Sequence, residues 1–364
     1  MLYFIIVTRV CNLRCKYCGN DPDPSVEPLE INYSLDDLKR FIEKDSDAII
    51  CFYGGEPLLR VNIIKWIIDN IKAKKFCIQT NGLFLDRLEL EYLEKFDTIL
   101  VSIDGRKEVT DYYRGTGTYD LVIKNIRKIR RKGYDGDIIA RMAVSEKTDI
   151  YSDVKHLIEL KNPNFDHVHW QLDALWDLPP KQRYKDFDLW VDTIYNAGIT
   201  KLVNYWYEKM EQEGKVLGIV PFIGIMKTLL TGEKVYLRCG AGIDAFTITT
   251  SGRIIACPVA LEFDEFYLGD IWTTEPYELP WKIKIGGPCL RCEYNFICGG
   301  RCLFANKTML WGIEGFEKVC ETVKHLINEL IRIKPRVQDL IDKGIISIDD
   351  FNYPPYNNST EIIP

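Results

Sequence analysis

The chain has no apolar run approaching the roughly 18 residues that cross a bilayer as a helix, and Phe4–Val7 is far too short. It has no basic-then-apolar signal region, since its N-terminus reads as the start of a strand. It has no surplus of basic charge. Lys and Arg number 47 against 53 Asp and Glu, net −6, so no global field favours nucleic acid or an anionic membrane. Internal repeats and low-complexity segments are missing too. Histidine is scarce: His156, His167, His169 and His325 make no metal-ligand spacing except His167-x-His169, which a strand would place on one face. A structural role is the simpler reading of that pair.

Cysteine is plentiful. Twelve cysteines in 364 residues, without a secretory signal, argue for metal or redox chemistry in a reducing cytoplasm rather than disulfides. Three lie at the start and seven after residue 238. Cys51 and Cys77 stand alone inside apolar strands, where free cysteine behaves as a small hydrophobe. The first three spell Cys11-Asn-Leu-Arg-Cys15-Lys-Tyr-Cys18, a C-x3-C-x2-C pattern shortly after Tyr3–Val7. Three thiolates on a four-iron cube leave one iron with an open corner for a cofactor. Zinc is the competing reading, but it wants a fourth ligand, and no Cys or His lies between Gly19 and Ala48.

The pattern of residues 1–171 predicts an α/β fold. Strands are expected at Tyr3–Val7, Ala48–Phe52, Phe76–Gln79, Thr98–Ile103, Asp137–Ala143 and His167–Leu172. Helices are expected near Ser34–Glu43, Leu58–Ile71, Arg87–Lys95, Tyr119–Lys132 and Tyr151–Leu160. Six such units curl into a partial (β/α)6 barrel with its active site at the carboxyl ends of the strands. Beyond Pro179-Pro180 come helices at Lys185–Gly198, Thr200–Glu211 and Phe222–Leu230. Cys239–Cys320 is short-stranded and turn-rich, with bound metal supplying its stability. Glu317–Ile333 reads as a closing helix, and Asp349–Pro364 as a tail lying on the surface or loose. The expected domains are a barrel over 1–205, a helical bridge over 206–238, a cysteine-rich domain over 239–335 and a tail over 336–364.

One βα unit after the triple cysteine stands Gly54-Gly55-Glu56-Pro57, whose two glycines let backbone N–H and C=O groups approach a small zwitterion. With Tyr17 before Cys18, these motifs resemble the radical S-adenosylmethionine (radical SAM) enzymes. The resemblance implies that Cys11, Cys15 and Cys18 bind three irons, and that the amino and carboxylate groups of S-adenosylmethionine chelate the fourth. Gly54, Gly55, Glu56 and Pro57 would then contact the methionyl amino group, with Tyr17 near the adenine. Ser102 and Arg141, at the ends of the fourth and fifth strands, would bind the methionyl carboxylate. Asp104 would join them, with a surface turn as the alternative, as an ordinary ion pair is for Arg141. Asn81 of Thr80-Asn81-Gly82 would face the pocket or simply make a turn. In that family one electron cleaves the cofactor to a 5′-deoxyadenosyl radical, which removes a hydrogen atom from substrate.

The later set, Cys239, Cys257, Cys289-x2-Cys292-x5-Cys298-x3-Cys302 and Cys320, is a strong metal signal, with zinc ribbons as the alternative. Its order, with Gly252 five residues before Cys257, resembles the SPASM extension of peptide-modifying radical enzymes such as anaerobic sulfatase maturases. That implies two auxiliary four-iron clusters, three [4Fe-4S] clusters in all. Cys289, Cys292, Cys298 and Cys320 would ligate one. Cys239, Cys257 and Cys302 would ligate the other and leave one iron without a thiolate. Sulfatase-maturing members have an extra cysteine in the stretch matching 240–256 and an acid just after the second cysteine; this chain has Pro258 there. Asp244, solvent or a substrate thiolate is left to cap the open iron, the last suiting thioether formation.

The expected activity is radical modification of a peptide or protein side chain, by crosslinking or oxidation. A radical SAM enzyme acting on a small metabolite is the alternative, and a non-catalytic iron–sulfur or zinc scaffold is the contrasting class. Expected partners are a peptide or protein substrate and a low-potential electron donor such as ferredoxin or flavodoxin, with neither nucleic acid nor membrane. No peptide-binding domain precedes Tyr3, so a substrate leader would dock on a separate partner or on the barrel. Trp170, Gln171 and Asp173 end the sixth strand within reach of a substrate.

Overall fold

The computed structural model describes residues 1–19, 23–173, 184–353 and 363–364. It divides into two compact units, each assembled from separated stretches: 1–103, 110–139 and 240–284 form the first, and 104–109, 140–239 and 285–364 the second. The expected boundaries at 205/206 and 335/336 both fall inside helices. Pro179-Pro180 lies outside the described residues.

In the first unit, β1 (Leu2–Thr8), β2 (Ile49–Gly54), β3 (Lys75–Thr80) and β4 (Phe96–Ser102) are parallel neighbours. All seven residues of β1 are buried, as in a central parallel strand covered on both faces. Leu2 and Phe4 pack with Cys51, Cys77, Leu100, Ile139 and Ala245, so the two lone cysteines are core residues; they face one another across the β2–β3 register. Strand β5 (Asp137–Val144) runs from the first unit into the second, where β6 (His167–Leu172) follows. The other edge of β1 is closed by β7 (Ala245–Ile248), which is parallel to it and leads into the antiparallel strands β8 (Arg253–Ile255) and β9 (Tyr267–Asp270).

Between the strands lie α1 (Leu35–Ile42), α2 (Val61–Asn70), α3 (Leu90–Leu93), α4 (Lys107–Arg114), α5 (Thr118–Lys132) and α6 (Ile150–Glu159). The sequence reading missed α4, because Lys107–Arg114 is mostly polar. In the second unit, α7 (Phe187–Trp190) passes through a π-turn into α8 (Asn196–Glu213), followed by α9 (Val220–Thr231), α10 (Asn295–Cys298), α11 (Leu303–Thr308) and α12 (Gly312–Asp342). The break expected near Gly198 does not occur. A Cβ at Gly198 would lie 2.5 Å from Ile150 Cγ2, so that glycine lets α8 approach α6 rather than ending a helix.

Helix α12 runs nine residues past the expected Ile333, straight through Pro335. Ile333, Val337 and Leu340 continue its buried stripe, while Ile331, whose carbonyl loses its partner to the proline, is on the exposed side. The tail, expected to lie on the surface or loose, is anchored at both described ends. Phe351 is fully buried with its ring 5.9 Å from Trp206, and Ile363 and Pro364 are buried.

Candidate active site

The cysteine loop leaves the carboxyl end of β1 with Cys11 and Cys15 half-buried and Cys18 exposed. Cys11 Sγ accepts the Leu13 N–H at 3.4 Å, and the Asn81 side chain hydrogen-bonds the same sulfur. Burial pushes the Cys11 thiol above its ordinary value; the Leu13 N–H opposes this and the Glu56 charge adds to it. The end of α4 braces the loop. Lys16 donates its N–H to the Tyr113 carbonyl at 2.9 Å, and its Nζ lies 3.3 Å from the Tyr112 ring centre. The Tyr17 ring lies 5.4 Å from Tyr113, and the Arg114 guanidinium lies 5.4 Å from the centre of the Tyr17 ring. Tyr112, Tyr113 and Arg114 escaped the sequence reading; their one signal was an aromatic pair soon after Asp104-Gly105.

Gly54 and Gly55 make a close backbone contact. Gly54 has φ +141°, and a Cβ there would sit 2.1 Å from the Thr8 carbonyl oxygen; at Gly55 it would sit 2.3 Å from that of Val10. Bare backbone lets the Gly55 and Glu56 N–H groups reach the Thr8 and Val10 carbonyls at 2.8 and 2.9 Å. Those two amides press the end of β2 against the root of the cysteine loop, so they are not available to a zwitterion.

Glu56 is fully buried and accepts three donors: the Leu58 N–H at 3.0 Å, the Thr80 hydroxyl at 2.7 Å and the Asn81 N–H at 2.7 Å. It caps the short helical turn begun by Pro57 and ties it to the end of β3. Burial raises its pKa despite those bonds. Asn81 then reaches outward, its Nδ2 donating to Asn12 Oδ1 at 2.8 Å, while Gly82 at φ +77° makes the turn behind it. Asn81 is therefore a turn residue that also touches the cysteine loop. Ser102 ends β4 half-buried.

Asp104 and Arg141 belong to the second unit. Asp104 is fully buried and accepts the Ala143 N–H at 2.9 Å, which holds the turn after β4 to β5; it is no surface turn. Beside it, Arg106 pairs with buried Asp153 at 2.8 Å. Arg141 is 8% exposed, and its guanidinium donates to the Met142 carbonyl at 3.4 Å. At the end of β6, Trp170 is fully buried and donates to the Tyr195 hydroxyl at 3.0 Å, and Asp173 accepts the Ser145 hydroxyl at 3.1 Å. His169 is buried in the same strand, and His325 bonds Thr200 and the Asn196 carbonyl, each at 3.0 Å.

Four later cysteines gather in the second unit. Burial pushes the Cys289 thiol up to about 11, with the Cys298 and Cys292 charges adding to it. Cys320, on α12, rises to about 12 by burial, with Cys289, Cys298 and Cys292 as charged neighbours. A group of thiols that resist ionisation in one another's company is a poor arrangement without cations to hold the thiolates. Cys239 and Cys302 also lie in the second unit, and Cys257 in the first. Among the described residues no three His, Cys, Asp or Glu side chains close around a point for a single ion. A cube makes a different demand, since each thiolate takes its own iron.

The family model for the radical SAM superfamily matches residues 5–160. Those residues are a radical SAM domain. The chain aligns at 24% identity with the radical SAM cyclopropyl synthase TigE of Paramaledivibacter caminithermalis, over 90% of its own length and 73% of that protein. It aligns at 22% identity with the mycofactocin maturase MftC of Mycolicibacterium smegmatis, over 82% and 77%. The structure of anSMEcpe with bound AdoMet and Cp18Cys peptide superposes with TM-score 0.68 at 20% identity, covering 92% of this chain and 99% of that one. The fold is shared across both units' residues, the cysteine-rich region included. A radical SAM domain takes S-adenosylmethionine and a [4Fe-4S] cluster. The cysteine loop suits that cluster: its three sulfurs lie on one short braced turn, with N–H donors from Leu13 and Asn81 already aimed at Cys11. No helix among the described residues is long and apolar enough to cross a membrane.

Proposed function

We propose that this enzyme modifies a peptide or protein side chain by radical chemistry, in the cytoplasm, with a low-potential protein such as ferredoxin or flavodoxin as electron donor. When bound, the cluster and S-adenosylmethionine supply a 5′-deoxyadenosyl radical that takes a hydrogen atom from the substrate. Cys11, Cys15 and Cys18 hold that cluster. Asn81 and Leu13 would steady its Cys11 sulfur, Tyr17 would lie near the adenine, and Ser102 and Arg141 would hold the methionyl carboxylate. Of Gly54–Pro57, the glycines and Glu56 shape the floor, and the remaining carbonyls meet the methionyl ammonium.

Two auxiliary [4Fe-4S] clusters complete the proposal, on Cys289, Cys292, Cys298 and Cys320, and on Cys239, Cys257 and Cys302. By this assignment the barrel spans 1–205, a helical bridge 206–238 and the auxiliary domain 239–335, with a tail over 336–364. The observation that carries the reading is the four-thiol group in a chain that also holds a radical SAM domain. Relatives named as a peptide maturase and a cyclopropyl synthase align over most of the chain and support the substrate class. Anaerobic reconstitution should load about twelve irons per chain. Co-expression with candidate short peptides, read by mass spectrometry, should yield a mass change that Cys15→Ala abolishes. Cofactor cleavage without change in any peptide, but with turnover of a metabolite, would overturn it.

A further inference from the structure

Arg301 stands inside the C-x3-C step between Cys298 and Cys302, where three consecutive residues, Gly299, Gly300 and Arg301, have φ of 69°, 96° and 51°. Glycine adopts that region freely, but for arginine it costs about 1–2 kcal/mol. The curl has a visible result: the N–H groups of Gly300 and Arg301 both hydrogen-bond the Cys298 sulfur. Gly299 is packed so closely that a Cβ would lie 2.7 Å from the Leu237 nitrogen.

The side chain is as constrained as the backbone. Arg301 is 6% exposed, and its Nε donates to the Ile363 carbonyl at 3.1 Å. No carboxylate pairs with it among the described residues. A buried guanidinium that lacks an anion is costly, by several kcal/mol. Arg301 stands three residues after Cys298 and directly before Cys302, and its charge is felt at the sulfurs of Cys289, Cys298, Cys302 and Cys320. Arg238 also acts on Cys298, but its guanidinium is engaged by the Ile297 carbonyl and the Thr228 hydroxyl.

We propose that Arg301 is the counter-charge of the auxiliary cluster on Cys289, Cys292, Cys298 and Cys320, and that it raises the potential at which this cluster accepts an electron. The proposal rests on the cluster assignment above. Four thiolates and four sulfides outweigh the charge on four irons, so the cluster would supply the anion that no described residue gives the buried guanidinium. Reduction adds one more negative charge, which a fixed neighbouring cation favours. The step it would tune is one-electron oxidation of the substrate radical left after hydrogen abstraction: the electron would pass to the cluster while the substrate sheds a proton and forms its new bond.

The test uses the full chain in a Cys15→Ala, Cys257→Ala background, so that one cluster gives the signal. Iron and sulfide analysis accompanies an EPR-monitored redox titration of this parent, of Arg301→Gln and of Arg301→Lys. At fixed potential, Arg301→Gln should lower the reduced-to-oxidised ratio about tenfold, ~59 mV for one electron, and Arg301→Lys should recover most of it. Loss of iron in Arg301→Gln but not in Arg301→Lys also supports a need for charge. An unchanged potential at full iron, or loss of iron in both variants, overturns the proposal. A parent that holds no four-iron cluster defeats the assignment beneath it instead.

Discussion

Asn81 gives its backbone N–H to buried Glu56 at 2.7 Å and its side-chain amide to Asn12 at 2.8 Å. Through these bonds the end of β3 fixes the position of the cysteine loop. The same amide side chain hydrogen-bonds Cys11. The Cys11 sulfur, proposed above as a cluster ligand, is thereby oriented by a residue 70 positions away in the chain.

Asn81→Ala removes the outward bonds and keeps the one to Glu56. Partners that orient metal ligands typically contribute 10–100-fold to activity. Iron content should hold while 5′-deoxyadenosine formation falls at least about tenfold. A rate equal to wild type would show that the Asn12 and Cys11 bonds do not matter to cofactor cleavage.

Glu56 offers a pH-dependent readout. Its folded pKa lies above its unfolded one because burial outweighs three donors. The folded state therefore binds the proton more tightly. The stability this contributes is complete below the unfolded pKa and is lost as pH rises through the folded one. Thermal unfolding of the metal-free chain, followed from about pH 4 to 8, should show this loss, and Glu56→Gln should flatten it. Glu56→Ala strands three donors and should cost about 3 kcal/mol or more.

Gly54→Ala and Gly55→Ala each drive a methyl group into a carbonyl oxygen of the β1 end. Overpacking of this kind costs about 1–3 kcal/mol, and the φ of +141° at Gly54 adds strain. Both variants should melt lower than wild type and take up less iron at the first cluster, measured as the four-iron EPR signal of a Cys257→Ala, Cys292→Ala background. A Gly55→Ala protein with wild-type melting would refute the close-contact account.

Removing cysteines separates the clusters. Cys292→Ala should lose about four irons yet still cleave S-adenosylmethionine, whereas Cys15→Ala should lose about four irons and all cleavage. Near-stoichiometric zinc in place of iron, with no cleavage, would end the radical reading.

The six barrel strands were legible because each is a short apolar run closed by a turn, and the cysteine spacings were legible because covalent order survives folding. What was hidden depended on contacts distant in sequence. Gly54-Gly55 looked like an open ligand cradle, yet its amides face Thr8 and Val10. Helix α4 lacked an apolar stripe, so Tyr113 was invisible as the brace beneath Lys16. The closing helix was expected to end at Ile333, because the stripe that carries α12 on through Pro335 is set by packing. Arg301 carried no signal until its backbone and burial were seen.

Strand β1 bears on sulfur chemistry through its length. The cysteine loop leaves its carboxyl end, while the register sets Ile255, the last residue of β8, opposite Thr247 and Thr247 beside Phe4, so the chain runs on to Cys257 in the direction of the amino end of β1. Seven residues at about 3.3 Å each make a rigid rod of roughly 20 Å. A peptide with one sulfur bonded to iron at Cys257 would need about six extended residues to present a carbon at the other tip. The two reacting atoms of a short-range thioether cannot occupy both tips at once. A cluster at Cys257 would be spaced for passing charge along the sheet, and bond formation would belong to the cysteine-loop end.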